Sequence, residues 1–184
     1  MLPRVLIVAV LLMGASLSAT VFVPTEFREV VNDAGLIVRG RITDVRAEVV
    51  ADRGIESIGT ISVDAVIKGA ADRFVAVRVP GGVVGATRAV MVGAPRLSVN
   101  EQAVFFLKRG SDNYWRPIGL SMGIYRLQYD RASRRTLVNA PVLMGPTASA
   151  GRVVRGDVRR APMAVPEFES LVRLVMAAPS GGGR

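Results

Sequence analysis

Residues 36–46 decide the fold, and they read LIVRGRITDVR. The stretch begins as an apolar run, and its later residues alternate between apolar and polar side chains. A period of two is typical of a β-strand with one buried face. The strand continues to Val49-Val50, and a turn at 51–54 leads into a second apolar-rich strand over 55–67. The two segments therefore predict a long β-hairpin.

Shorter strands and two helices follow from the rest of the chain. The strands are predicted over residues 74–79, 87–92, 102–108, 114–119, 123–129 and 136–138. Short strands at this spacing favour a closed or nearly closed barrel. Apolar residues at helical spacing predict a short helix over 25–34 and another over 166–178. We therefore expect a mainly β, OB-like, partly closed antiparallel barrel with an N-terminal helix and a C-terminal helix.

The first nineteen residues have the order of a secretory signal peptide. Arg4 supplies the basic start, an apolar run spans 5–13, and small residues end at Ala19. The run is shorter than the ~20 apolar residues of a membrane-spanning helix. We predict cleavage after Ala19, with cleavage after Ser18 or a retained anchor as alternatives. A secreted or periplasmic protein follows, with no membrane span once the signal is removed.

The mature chain divides by composition into four parts. Residues 20–143 form the predicted barrel domain. Residues 144–165 are rich in Pro, Gly, Ala and Arg without a period, which indicates a linker or surface arm. The C-terminal helix follows over 166–178, and 179–184 is predicted to be a disordered tail.

Two missing residue types restrict the chemistry. The 184 residues include no cysteine and no histidine, and the formal net charge is +9. Without histidine there is no Ser-His-Asp machinery and no titration switch near neutral pH. Without either residue the usual zinc ligands are missing, and no calcium-loop motif is present. We therefore predict no cofactor, no metal and no catalytic residue.

Two glycine-containing motifs need separate interpretation. Residues 119–123 match G-x-S-x-G, but they lie between two predicted strands, so a turn is favoured over a serine hydrolase with Ser121 as nucleophile. Residues 81–85 read GGVVG and predict a flexible connection. Backbone N–H groups of Gly81 and Gly82 are the first place to expect contact with a ligand, because loops on a rigid scaffold carry binding sites.

Charged residues form two further candidate surfaces. Acidic residues on the first hairpin are interpreted as solvated positions; these are Asp44, Glu48, Asp52, Glu56 and Asp64. Basic residues cluster in the predicted arm, at Arg152, Arg155, Arg159 and Arg160. An anionic envelope polymer or an acidic protein is a suitable partner for them. Nucleic acid is not expected, because the signal peptide directs the chain away from it.

The strand "DAGLIVRGRITDV" at 33–45, followed by "ISVDAVIKG" at 61–69, resembles a layout in uncharacterised exported bacterial proteins. In both, a strand opens after a short helix and a second strand ends in a Lys-Gly pair. The layout is more remotely similar to netrin-like domains, including tissue inhibitors of metalloproteinases, and the resemblance implies an OB-fold barrel. It covers about residues 27–129.

The resemblance to the inhibitors also suggests a role for the mature N-terminus. Those proteins chelate a catalytic zinc through an N-terminal cysteine ridge, and this chain has no cysteine. Thr20, Val21 and Phe22 would occupy that position. We therefore expect a non-enzymatic binding module, with a protease-inhibitor-like module as the alternative and a serine hydrolase as a further one.

Overall fold

A computed structural model describes residues 27–143, 154–155 and 162–178. Its helices are α1 (Phe27–Asp33) and α2 (Val165–Ala177), and a 3-10 turn spans Leu120–Gly123. The strands are β1 (Leu36–Val50), β2 (Gly54–Lys68), β3 (Phe74–Pro80), β4 (Gly82–Val84), β5 (Thr87–Ala89), β6 (Gln102–Arg109), β7 (Trp115–Pro117), β8 (Ile124–Asp130), β9 (Arg135–Asn139), β10 (Val142–Leu143), β11 (Val154–Arg155) and β12 (Met163–Ala164).

Five of these strands close into a ring. β1 pairs with β2 along almost its whole length and with β6 through residues 36–41. β2 also pairs with β3, and β6 with β7. The ring closes between β3 and β7 through one parallel pair, Val77 with Trp115. β8, β9 and β12 extend the sheet from β6. The predicted mainly β, partly closed barrel, with a short helix before it and another helix after it in the chain, is confirmed.

The position of β6 between two cores explains why its sequence is apolar without alternation. Ala103, Phe105 and Leu107 face the barrel interior, whereas Val104 and Phe106 face a second core under the helices. Both faces are therefore buried, as a continuous apolar run requires. Rings from α1, β6, β8 and α2 meet in the second core with centroids 5.1 to 6.3 Å apart; they are Phe27, Phe106, Tyr125 and Phe168.

The Lys-Gly pair at the end of β2 fastens α1 to the barrel. Lys68 Nζ donates to the carbonyls of Val31 and Asn32 at 2.8 and 2.9 Å, at the end of α1 where such groups lack helical partners. Gly69 has φ +79°, and a Cβ there would lie 2.6 Å from the carbonyl oxygen of Gly35. The pair that carries the resemblance therefore has a structural role.

Several boundaries differ from those expected. The fourth predicted strand, 87–92, ends at Ala89 and pairs with Gly82–Val84. The predicted flexible connection at 81–85 is thus largely one strand of a small hairpin. The strand expected over 114–119 is only Trp115–Pro117.

Two short strands lie in the predicted arm. Met163–Ala164 adds an edge strand beside β9, and Val154–Arg155 pairs with Val142–Leu143 in a separate two-stranded sheet. The signal-peptide residues, the predicted tail and arm residues 144–153 and 156–161 lie outside the described residues. Within the described part of the chain, no helix is long and apolar enough to cross a membrane.

Candidate functional site

Six charged residues gather where β3 and β7 close the barrel. This charge cluster comprises three carboxylates and three guanidinium groups: Glu48, Arg53, Glu56, Arg78, Asp112 and Arg116. Arg78 lies at its centre and only 6% of it is exposed. It donates to Glu48 at 2.6 Å and to Glu56 and Asp112 at 3.4 Å. The ring of Tyr114 lies 3.9 Å from the guanidinium carbon, within cation–π range.

A second arginine completes the cluster from β7. Arg116 donates to Glu56 Oε1 at 3.2 Å and to Asp112 Oδ2 at 2.8 Å. Arg53 approaches Asp112 at 3.1 Å from the β1–β2 turn. Desolvation raises the pKa of Asp112, but hydrogen bonds from Arg116 and Arg53 and the charge of Arg116 outweigh it and lower that pKa to about 2. Asp112 is therefore a carboxylate at neutral pH.

The charge cluster stabilises the seam of the barrel. β3 and β7 share a single backbone pair, so side chains from β2, β3, β7 and the β6–β7 loop connect this region instead. One expectation is wrong here: Glu56 was interpreted as a solvated hairpin position, but only 3% of it is exposed. Two arginines from distant segments surround it, and local sequence cannot indicate that. The cluster is electrically balanced, which leaves little charge for a ligand.

A cleft of about 420 Å³ opens beside β4 and β5. We call it the arginine cleft; its lining residues are Ser57, Pro80, Gly81, Gly82, Val83, Arg88, Ala89, Val90, Met91, Ala94, Pro95, Arg96 and Leu97. No carboxylate occurs among these described lining residues. Neither the Arg88 nor the Arg96 guanidinium makes an ion pair or hydrogen bond within the described structure. The cleft therefore combines apolar walls with two free cations.

The two glycines bring the floor of the cleft close to β2. Gly81 donates its N–H to the carbonyl of Ile55 at 2.8 Å, and its own carbonyl accepts from Ser57 Oγ at 2.7 Å. Gly82 has φ +149°, and a Cβ at this position would lie 2.6 Å from Ser57 Oγ. A side chain at Gly82 would clash there and would also be strained by the backbone. The pair therefore positions the β4–β5 hairpin.

The loop after β5 forms the outer wall of the cleft. Ala94 donates its N–H to the carbonyl of Met91 at 3.1 Å, which closes a turn. The N–H of Ser121 donates to the carbonyl of Gly93 at 3.1 Å and ties the loop to the 3-10 turn. Leu97 is buried in the barrel core and anchors the C-terminal part of the loop. The side chains of residues 90–92, between the end of β5 and Gly93, remain exposed.

The sequence-predicted contact residues fall into separate places. Gly81 and Gly82 line the arginine cleft. Arg155 lies in β11, while Arg152, Arg159 and Arg160 and the N-terminal group Thr20, Val21 and Phe22 lie outside the described residues. Ser121 lies in the 3-10 turn; its N–H donates to the carbonyl of Gly93, and its carbonyl accepts from the N–H of Ile124.

Sequence reasoning did not find Arg88 and Arg96. One feature of the sequence does point to them, because residues 73–100 contain no aspartate or glutamate. An arginine in such a stretch lacks a local partner. Distant carboxylates neutralise Arg78 in this stretch, whereas Arg88 and Arg96 have no carboxylate partner among the described residues. Among the residues that the structure describes, no group of three or more histidine, cysteine, aspartate or glutamate side chains is arranged to hold a metal ion.

No protein-family model matches the chain, and no curated protein and no solved structure matches it.

Proposed function

We propose that this protein is an exported, non-enzymatic binding module whose arginine cleft holds an anionic group attached to an apolar body. The observation that carries the proposal is that the guanidinium groups of Arg88 and Arg96 have no partner, and their cleft no carboxylate, in the part of the chain that the structure describes. Arginine presents a planar set of donors that suits carboxylate, sulfonate and phosphate oxygens. The valine and methionine walls favour an apolar portion beside the anion.

Binding rather than catalysis is favoured by the residue types at the cleft. Its lining offers a single hydroxyl, Ser57, which already donates to the carbonyl of Gly81. The chain has no histidine to take a proton from a serine, and no cysteine to act as a nucleophile. A positively charged apolar cleft without an acid–base pair is suited to recognition.

The test uses two fluorescent probes of similar size, anilinonaphthalene sulfonate and the uncharged phenylnaphthylamine. We expect the wild type to bind the sulfonate, and Arg88→Ala with Arg96→Ala to weaken that binding about tenfold or more, since each lost charge-assisted hydrogen bond contributes about 1.5–3 kcal/mol. Binding of the uncharged probe should change little.

A matched control is the pair Arg131→Ala with Arg135→Ala, which removes two exposed arginines from the β8–β9 hairpin. This variant has the same net charge as the cleft variant. Equal loss of sulfonate binding in both variants would mean that overall charge, rather than the cleft, attracts the probe, and the proposal would be rejected.

A further inference from the structure

The loop tip, residues 90–92, is an unusual surface for a water-soluble domain. Val90, Met91 and Val92 are consecutive, and they are 75%, 51% and 87% exposed. Val83 of the neighbouring hairpin is also exposed. Single exposed apolar residues are common, but a contiguous group indicates a surface that is covered in function.

Two cations lie on either side of this apolar tip in the chain. Arg88, in β5, and Arg96, in the loop that follows, line the adjoining cleft and lack partners in the described structure. The acid-free stretch 73–100 places no carboxylate on the loop itself. Exposed apolar side chains next to such cations match the boundary of an anionic bilayer, where acyl chains lie below a layer of phosphates.

We infer that the loop tip docks the protein onto an anionic phospholipid surface. Val90, Met91 and Val92 enter the region between headgroups and acyl chains, while Arg88 and Arg96 bind lipid phosphates. The inference rests on the proposed function, because it identifies a phospholipid as the apolar anion of the arginine cleft. The long aliphatic part of arginine permits this geometry, since its charge reaches the headgroup level while its stem stays apolar.

The experiment is co-sedimentation of the mature protein with two kinds of vesicle. One contains equal parts of phosphatidylglycerol and phosphatidylcholine, and the other contains phosphatidylcholine alone. We expect binding to the anionic vesicles and little binding to the neutral ones. Arg88→Ala with Arg96→Ala should weaken binding to anionic vesicles about tenfold or more, because each basic residue near such a surface contributes roughly fivefold.

Val92 separates this inference from the proposed function. It belongs to the exposed tip but does not line the cleft. Val92→Gln should therefore lower vesicle binding about tenfold or more, because it replaces an apolar side chain without adding a charge, while binding of the sulfonate probe stays at the wild-type level. The matched control is Leu174→Gln, which changes an exposed apolar residue on α2 and should bind vesicles as the wild type does.

Three results would overturn the inference. The first is wild-type binding of the soluble sulfonate probe without binding of anionic vesicles, which leaves the proposed function intact. The second is vesicle binding that Val92→Gln does not reduce. The third is a change from oligomer to monomer in Val92→Gln by analytical ultracentrifugation, which would assign the loop tip to contact with a second copy of this chain. Circular dichroism of each variant confirms that its fold is retained.

Discussion

The charge cluster and the arginine cleft are both rich in arginine, yet they differ in what surrounds each guanidinium group. In the cluster, three arginines face three carboxylates, and Arg78 is almost fully buried. In the cleft, Arg88 and Arg96 have exposed side chains and face no carboxylate among the described residues. The density of charge is therefore a poor guide to function in this protein. The guanidinium groups without a described partner, Arg88 and Arg96, identify the surface that can bind an anion.

The two regions also differ in their connection to the fold. The cluster lies at the seam where β3 and β7 share one backbone pair, so its loss affects the barrel itself. The cleft lies on a hairpin and loop attached to the barrel through Gly81, Gly93 and Leu97. Substitutions that remove a charge should consequently affect stability at the first region and binding at the second.

The largest expected effect is on stability. Arg78→Met leaves Glu56 buried with Arg116 and Arg53 as its remaining cations, so the cluster holds three carboxylates against two guanidinium groups. We expect the free energy of unfolding to fall by about 3–5 kcal/mol, as for other broken buried ion pairs. Urea denaturation followed by circular dichroism measures the change. The matched substitution in the cleft, Arg88→Met, should stay within about 0.5 kcal/mol of the wild type.

A double variant sharpens this result. Adding Glu56→Gln to Arg78→Met removes the excess negative charge of the cluster, so part of the lost stability should return. If Arg78→Met and Arg88→Met instead destabilise the protein equally, the distinction between a structural cluster and a binding cleft is lost.

A smaller effect is expected from acid. The pKa of Asp112 is about 2 in the folded protein and has an ordinary value of 3.8. Because the folded pKa is the lower one, the unfolded chain binds more protons between these values. The contribution of Asp112 to stability is therefore complete above pH 3.8 and is lost as the pH falls towards 2.

Asp112→Asn provides the comparison for this pH dependence. We expect urea denaturation at several pH values to show a shallower loss of stability between pH 4 and pH 2 in the variant than in the wild type. Hydrogen bonds from the hydroxyl and backbone of Ser133 and from the backbone of Ala132 also lower the pKa of Asp130. Asp130 therefore adds to the loss of stability in acid, and it does so in both proteins. Identical pH profiles would show that Asp112 is not stabilised by the cluster.

The sequence predicted much of the barrel because its strands carry local patterns. Alternation over 36–46 indicated β1, and a turn at 51–54 indicated the hairpin with β2. The continuous apolar run of β6 indicated a buried strand. The sequence does not show that β6 separates two cores. That arrangement depends on the pairing of β6 with β1 on one edge and with β7 and β8 on the other. The pairing with β1 joins residues far apart in the chain.

The candidate site was less accessible to sequence reasoning. Gly81 and Gly82 were identified because paired glycines indicate an unusual backbone. Glu56 was assigned to solvent, since its partners Arg78 and Arg116 lie 22 and 60 residues away. Arg88 and Arg96 were missed for the complementary reason: whether a cation is free depends on the carboxylates that the fold brings to it, and for these two it brings none that the structure describes.

The central claim is that the arginine cleft, and not the charge cluster, receives an anionic ligand. Nuclear magnetic resonance of the isotope-labelled mature protein, titrated with anilinonaphthalene sulfonate, tests it directly. We expect the largest amide shifts at Gly81, Gly82 and Met91, with little change at Asp112 and Tyr114. Shifts centred on Asp112 and Tyr114, or spread evenly over the barrel, would contradict the account.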